Sequence, residues 1–114
     1  MIKPWLFIVN SRIGESKKKK LLDEIHLHFS EPEYAVCYTE YAKHALHLAK
    51  ESVANRVKYL VAVGGDGTVN EVLQATVHSQ IILGIIPCGS GNGLARHCGI
   101  PLQMSFAVAA LKKS

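Results

Sequence analysis

The chain has no uninterrupted apolar run near the ~18 residues of a membrane-spanning helix, and its N-terminus lacks the basic, apolar, small-residue order of a secretory signal. These absences predict a soluble, cytoplasmic protein that meets a membrane at most peripherally. Cysteine is scarce. Cys37, Cys88 and Cys98 are odd in number and widely spaced, which argues against a disulfide framework and a paired-cysteine zinc site. They read as small buried hydrophobes in a reducing compartment. Charge is also limited: 13 Lys+Arg against 9 Asp+Glu give a net +4, an excess that favours anionic ligands without requiring nucleic acid. Low-complexity sequence is confined to Lys17–Lys20. Lysines at a helix start oppose the macrodipole and read as solvated surface rather than as a lipid-headgroup patch.

What is present is apolar sequence, 48% of the 114 residues, enough for one globular core and too much for a disordered tail. Short apolar runs at Trp5–Val9, Tyr34–Tyr38, Tyr59–Val63 and Ile81–Ile86 have the character of buried parallel strands. Between them, apolar residues recur at helical spacing. Leu21, Leu22, Ile25 and Phe29 mark a helix from Lys17 to about Phe29; Ala42, Ala45, Leu46, Ala49 and Val53 mark a second; Val69, Val72, Leu73 and Thr76 a third. Leu94–His97 opens a fourth, and Met104–Leu111 has helical propensity. This alternation predicts an α/β fold with an open, mainly parallel sheet and flanking helices. A sheet of about four strands is small for that architecture, which predicts a partial domain. Trp5 reads as core. His44 and His47 lie three apart on a helix but have no evident third metal ligand, and His26 and His28 read as surface.

Two glycine-rich segments carry the chemistry. Gly64-Gly65-Asp66-Gly67-Thr68 falls between a strand and a helix, at the strand end where open parallel sheets bind ligands. Read as a turn, its glycines let backbone amides approach a polyphosphate, and the next helix adds the positive end of its dipole. Asp66 would repel phosphate unless a cation or a substrate hydroxyl lay between, which points to Mg2+ or to general-base work. The second segment, Pro87-Cys88-Gly89-Ser90-Gly91-Asn92-Gly93-Leu94-Ala95-Arg96, again joins strand to helix. It lacks the Gly-Lys-Ser/Thr of a P-loop, and Leu94 stands where the dinucleotide fingerprint needs its third glycine. Parallel strands place both turns at one sheet edge, where they can close on one ligand; a plain turn with Ser90 as helix cap is the duller alternative.

Gly64-Gly65-Asp66-Gly67-Thr68-Val69-Asn70-Glu71-Val72 and Gly89-Ser90-Gly91-Asn92-Gly93-Leu94-Ala95-Arg96 resemble, in order, the motifs of the diacylglycerol kinase catalytic-domain family, which includes sphingosine, ceramide and bacterial lipid kinases. Asn10-Ser11-Arg12-Ile13-Gly14 is similar to its Asn-Pro-x-x-Gly turn, and Thr39 with His44-Ala45 to its Thr followed by His-Ala. The resemblance covers essentially the whole chain. It implies a Rossmannoid fold like that of phosphofructokinases and NAD kinases, with ATP and Mg2+ as cofactors and a lipid hydroxyl at a membrane surface as phosphoryl acceptor.

By position, the resemblance places Asn10, Arg12, Thr39, Ser90, Gly91 and Asn92 at the nucleotide, and Gly64, Gly65, Gly67 and Thr68 at its phosphates. Asp66 becomes the catalytic residue, with Asn70 and Glu71 lining the same site. It also implies a second, β-sandwich domain outside these 114 residues, so that the lone segment is expected to be inactive and to self-associate through the surface that domain would cover. Ser11 stands where the family commonly has Pro and Ile13 where Gly is frequent, which predicts a first turn less open to nucleotide. Two other readings stay open: an NAD-kinase-like enzyme acting on a soluble substrate, and a nucleotide-binding module without catalysis.

Overall fold

The structure, a computed structural model, describes residues 3–89 and 91–112. Strand alternation decides its layers. β1 (Trp5–Val9) turns Phe7 and Val9 to one face and Ile8 to the other, all fully buried, as a period of two requires. β3 (Tyr59–Gly64) repeats this with Val61 and Val63 opposite Leu60 and Ala62. Because both faces are covered, these central strands read in the sequence as continuous apolar runs. With β2 (Tyr34–Tyr38) and β4 (Ile82–Pro87) they form a four-stranded sheet in the order β2-β1-β3-β4, every pair parallel. The fold is the α/β class that the alternation predicts.

Helices cover each face. α1 (Glu15–His28) and α5 (Met104–Leu111) bring Leu21, Ile25, Met104, Ala107 and Val108 onto Phe7, Val63 and Ile86. α2 (His44–Ala54), α3 (Asp66–Thr76) and α4 (Gly93–His97) bring Ala45, Ala49, Val69, Val72 and Ala95 onto Ile8, Leu60 and Ile85. Each fully buried Val, Leu, Ile or Phe in these layers contributes roughly 1.5–3 kcal/mol of transfer free energy. Trp5 is half-buried, stacked on Tyr59 at 4.2 Å and set edge-on to Phe29 at 4.9 Å. Among the described residues no helix is long and apolar enough to cross a membrane.

Several details differ from expectation. α1 begins at Glu15, ahead of the lysine run, and Glu15 binds Lys18 at 3.3 Å, setting an acidic residue at the positive helix end. Residues Ser11–Ile13 form one 3-10 turn whose N-terminal Asn10 side chain accepts from the Arg12 N–H. Cys37 and Cys88 are half-buried, but Cys98 is exposed. It caps the end of α4, where the chain leaves the core through Gly99 at φ 71°.

The chain passes from β1 to β2 on one side, and β3 lies on the other. The carboxyl ends of β1 and β3 are therefore the topological switch point, where connections diverge and open a crevice. Asn10 stands there, its N–H donating to the Val63 carbonyl at 2.9 Å.

Candidate functional site

The first glycine segment is less of a turn than its composition predicts. The ladder between β3 and β4 runs on to Gly64 opposite Pro87, Gly65 is the N-cap of α3, and Asp66 and Gly67 are already its first residues. None of Gly64, Gly65 and Gly67 has a positive φ. Two of them are needed for space. A Cβ on Gly64 would meet the Thr68 hydroxyl at 2.8 Å and the Asn10 Cβ at 3.2 Å. Across the crevice, a Cβ on Gly89 would stand 2.5 Å from the Gly65 Cα. The two glycine segments thus meet backbone to backbone. Gly67 differs, since a Cβ there meets nothing within 4 Å and its helical turn stays open to an incoming group.

The second segment is held by its own asparagine. Asn92 sits in the left-handed region at φ 53°. Its Oδ1 accepts from the Gly89 N–H at 3.0 Å, and its Nδ2 donates to the Gly89 carbonyl at 2.8 Å. Arg96 Nε donates to the Gly91 carbonyl at 2.8 Å. Lys17 reaches the Cys88 carbonyl at 3.5 Å. Burial pushes the Cys88 thiol pKa up, with the Lys17 charge acting in the opposite direction. Ser90 lies outside the described residues, and the N-cap of α4 is Asn92.

Both carboxylates of the first motif bind backbone N–H groups at the starts of other helices. Asp66 Oδ1 accepts from Gly93, the first residue of α4, at 2.7 Å. Glu71 Oε1 accepts from Leu46, in the first turn of α2, at 3.3 Å. The N-cap residues themselves, Lys43 and Asn92, make no side-chain cap bond. Glu71 and Asp66 thereby fix α2 and α4 against α3, a role that a local motif does not reveal.

The structure divides the sequence-derived site residues between two hollows. A cavity of about 290 Å³ at the switch point is lined by Asn10, Arg12, Thr39, Tyr41, Thr68 and Glu71, among others. Thr39 Oγ1 accepts from the Ser11 N–H at 3.2 Å, which ties the ends of β1 and β2 together. On the other side of α3, Asp66, Gly67 and Asn70 border a groove of about 410 Å³ with Val69, Leu73 and Leu94. Asn70 and Glu71 therefore do not line one cleft, because consecutive helical residues point ~100° apart. The N-terminus of α3 separates the two hollows, and its N-cap residue, Gly65, supplies no side chain to cap it.

Tyr41, Glu40 and Lys43 also line the first cavity and were not singled out by motif; their one signal is their place between Thr39 and His44. His44 Nδ1 accepts from the Glu40 N–H at 2.9 Å. Among the described residues no three His, Cys, Asp or Glu side chains gather as a metal site.

Set beside known families, residues 4–114 match the diacylglycerol kinase catalytic domain. The chain belongs to the diacylglycerol kinase catalytic domain family. A diacylglycerol kinase from Bacillus subtilis (strain 168) is 37% identical over 100 residues, covering 84% of this chain and 33% of that protein. A diacylglycerol kinase from Mycobacterium tuberculosis (strain ATCC 25618 / H37Rv) is 41% identical over 68 residues, covering 60% of this chain and 22% of that protein. The crystal structure of a diacylglycerol kinase from Bacillus anthracis str. Sterne superposes with a TM-score of 0.85 at 26% identity, over 97% of this chain and 40% of that one. This member of the family thus spans about a third of the length of its B. subtilis relative.

Proposed function

We propose that this chain is the nucleotide-binding part of an ATP-dependent lipid kinase, completed in the whole protein by a second, β-rich domain. The observation that carries the reading is the convergence of both glycine segments at the carboxyl ends of β3 and β4, next to the switch point, Gly65 against Gly89, with Asp66 bound to Gly93 at 2.7 Å. Beside it lie a polar cavity for a nucleoside and, for its phosphates, a helix N-terminus whose N-cap is a glycine.

The side chains suit that ligand. In this reading the nucleoside occupies the cavity of Asn10, Arg12, Thr39 and Thr68, and the phosphates cross the first turn of α3 over Gly67, where a Cβ would have met nothing. Asp66 then faces the terminal phosphate. Among the described residues no donor contacts its Oδ2, so that oxygen is available to Mg2+ or to the proton of an attacking hydroxyl. Mg2+, when bound with ATP, supplies neutralisation of the charge on the transferring phosphoryl group. Asp66 Oδ2 would orient the acceptor hydroxyl and take its proton as the new O–P bond forms and the bond to the ADP oxygen breaks. Val69, Leu73 and Leu94 give the groove beside Asp66 an apolar wall, which supports a lipid alcohol over a soluble acceptor.

The test is phosphoryl transfer by the complete protein from ATP to diacylglycerol, to a sphingoid base and to NAD, each with an Asp66→Asn control. Transfer to either lipid that the variant loses supports the reading. Transfer to NAD in preference to both lipids, or none at all, overturns it.

A further inference from the structure

Tyr41 is the residue at the switch-point cavity that neither the glycine motifs nor the fold explains. It lies in the turn between β2 and α2 and borders the cavity together with Asn10, Thr39 and Thr68. Large aromatic side chains are usually withdrawn from water, yet Tyr41 is 55% exposed. Its ring is nevertheless held. It stacks on His44 at 4.1 Å with only 14° between planes, and its hydroxyl lies 3.4 Å from His47 Nδ1. His44 is fixed in turn, its Nδ1 accepting from the Glu40 N–H at 2.9 Å. One face of the tyrosine is thus spent on a positioned imidazole, while Tyr41 borders the cavity and His44 is not among the residues lining it.

A rigid, half-covered aromatic ring at the rim of a polar cavity is what a flat heteroaromatic group needs, because base–aromatic stacking requires a π-face and little else. Three of the acceptors around it each already hold a backbone N–H: Asn10 Oδ1 that of Arg12, Thr39 Oγ1 that of Ser11 and Glu71 Oε1 that of Leu46. We propose that Tyr41 is the platform on which the nucleobase stacks, extending the Tyr41–His44 pair into a three-layer stack. The inference rests on the nucleotide reading above and adds the residue that recognises the base.

The experiment compares calorimetric titrations of ATP and of inorganic tripolyphosphate into the parent chain and into Tyr41→Ala and Tyr41→Phe, with Mg2+ present. Tyr41→Ala is expected to weaken ATP about tenfold while leaving tripolyphosphate unchanged, and Tyr41→Phe to keep ATP within about twofold, since stacking needs the ring and not the hydroxyl. Equal loss of both ligands in the alanine variant would make Tyr41 a structural residue and overturn the proposal. Unchanged ATP affinity would overturn it too and leave the nucleotide reading intact. Failure of the parent chain to bind ATP at all would overturn both.

Discussion

The Asp66 carboxylate accepts a hydrogen bond from the Gly93 backbone N–H at 2.7 Å, joining the two glycine segments across 27 residues. A group expected for chemistry therefore has a second, architectural task, and the two can be separated by substitution. In the complete protein Asp66→Asn keeps an oxygen for the Gly93 N–H but loses the charge. Its nucleotide affinity should stay within about threefold of the parent while turnover falls about 100-fold or more, the usual scale for a lost general base. Asp66→Ala should in addition lose about 1 kcal/mol of stability in urea unfolding, as for one hydrogen bond. An Asn variant with full turnover would remove Asp66 from the chemistry.

Glu71 makes the parallel case for α2. Its Oε1 holds the Leu46 N–H at 3.3 Å, so Glu71→Ala should cost about 1 kcal/mol, in the range for loss of a helix cap. Glu71→Gln, which keeps an acceptor oxygen, should recover most of it. Equal unfolding midpoints for parent and alanine variant would show that the contact carries no stability.

Glycines of similar sequence context should respond oppositely. A Cβ on Gly89 meets the Gly65 Cα at 2.5 Å, backbone against backbone, so Gly89→Ala should destabilise by roughly 1–3 kcal/mol, the cost of overpacking. At Gly67 a Cβ meets nothing within 4 Å inside a helix. Gly67→Ala should therefore raise stability by up to about 1 kcal/mol and weaken ATP binding, because the methyl enters the space assigned to phosphate. Thermal unfolding and ATP titration on one preparation check both halves.

Glu33 gives a pH signature remote from the site. Its hydrogen bond with Lys112 at 2.7 Å is the main cause holding its carboxyl pKa below the ordinary 4.5, with small help from Ser30 and opposition from desolvation. A lowered carboxyl pKa stabilises the folded chain above the ordinary value, and that contribution is lost as pH falls through the folded value. Between about pH 5 and pH 3 the parent should lose more stability than Glu33→Gln. Identical acid profiles would contradict the pairing.

Much of the architecture was legible because burial on both sides of a parallel sheet leaves continuous apolar runs such as Trp5–Val9, and one-sided helices leave stripes such as Leu21 and Ile25. Element ends were less so. Asp66 and Gly67 read as turn because glycine usually signals one, yet here Gly65 and Gly89 permit close backbone approach and the helix starts early. The split between Asn70 and Glu71 follows from helical geometry once the helix is placed. What no local pattern contains is the pairing of Asp66 with Gly93, of Glu71 with Leu46, or of Tyr41 with His44. The first two join distant parts of the chain and appear only when the fold brings them together, and the third depends on the conformation of one loop.

The central claim is that the meeting of the two glycine segments makes a nucleotide site. A calorimetric titration of this chain with ATP and Mg2+, repeated on Gly65→Val, tests it most directly. In Gly65→Val, side-chain atoms would be forced toward the Gly89 Cα, which already lies 3.2 Å from a Cβ built at this position. The account predicts saturable binding by the parent chain that this variant loses while remaining folded by circular dichroism. Absence of binding at millimolar ATP, or equal binding by both chains, would contradict it.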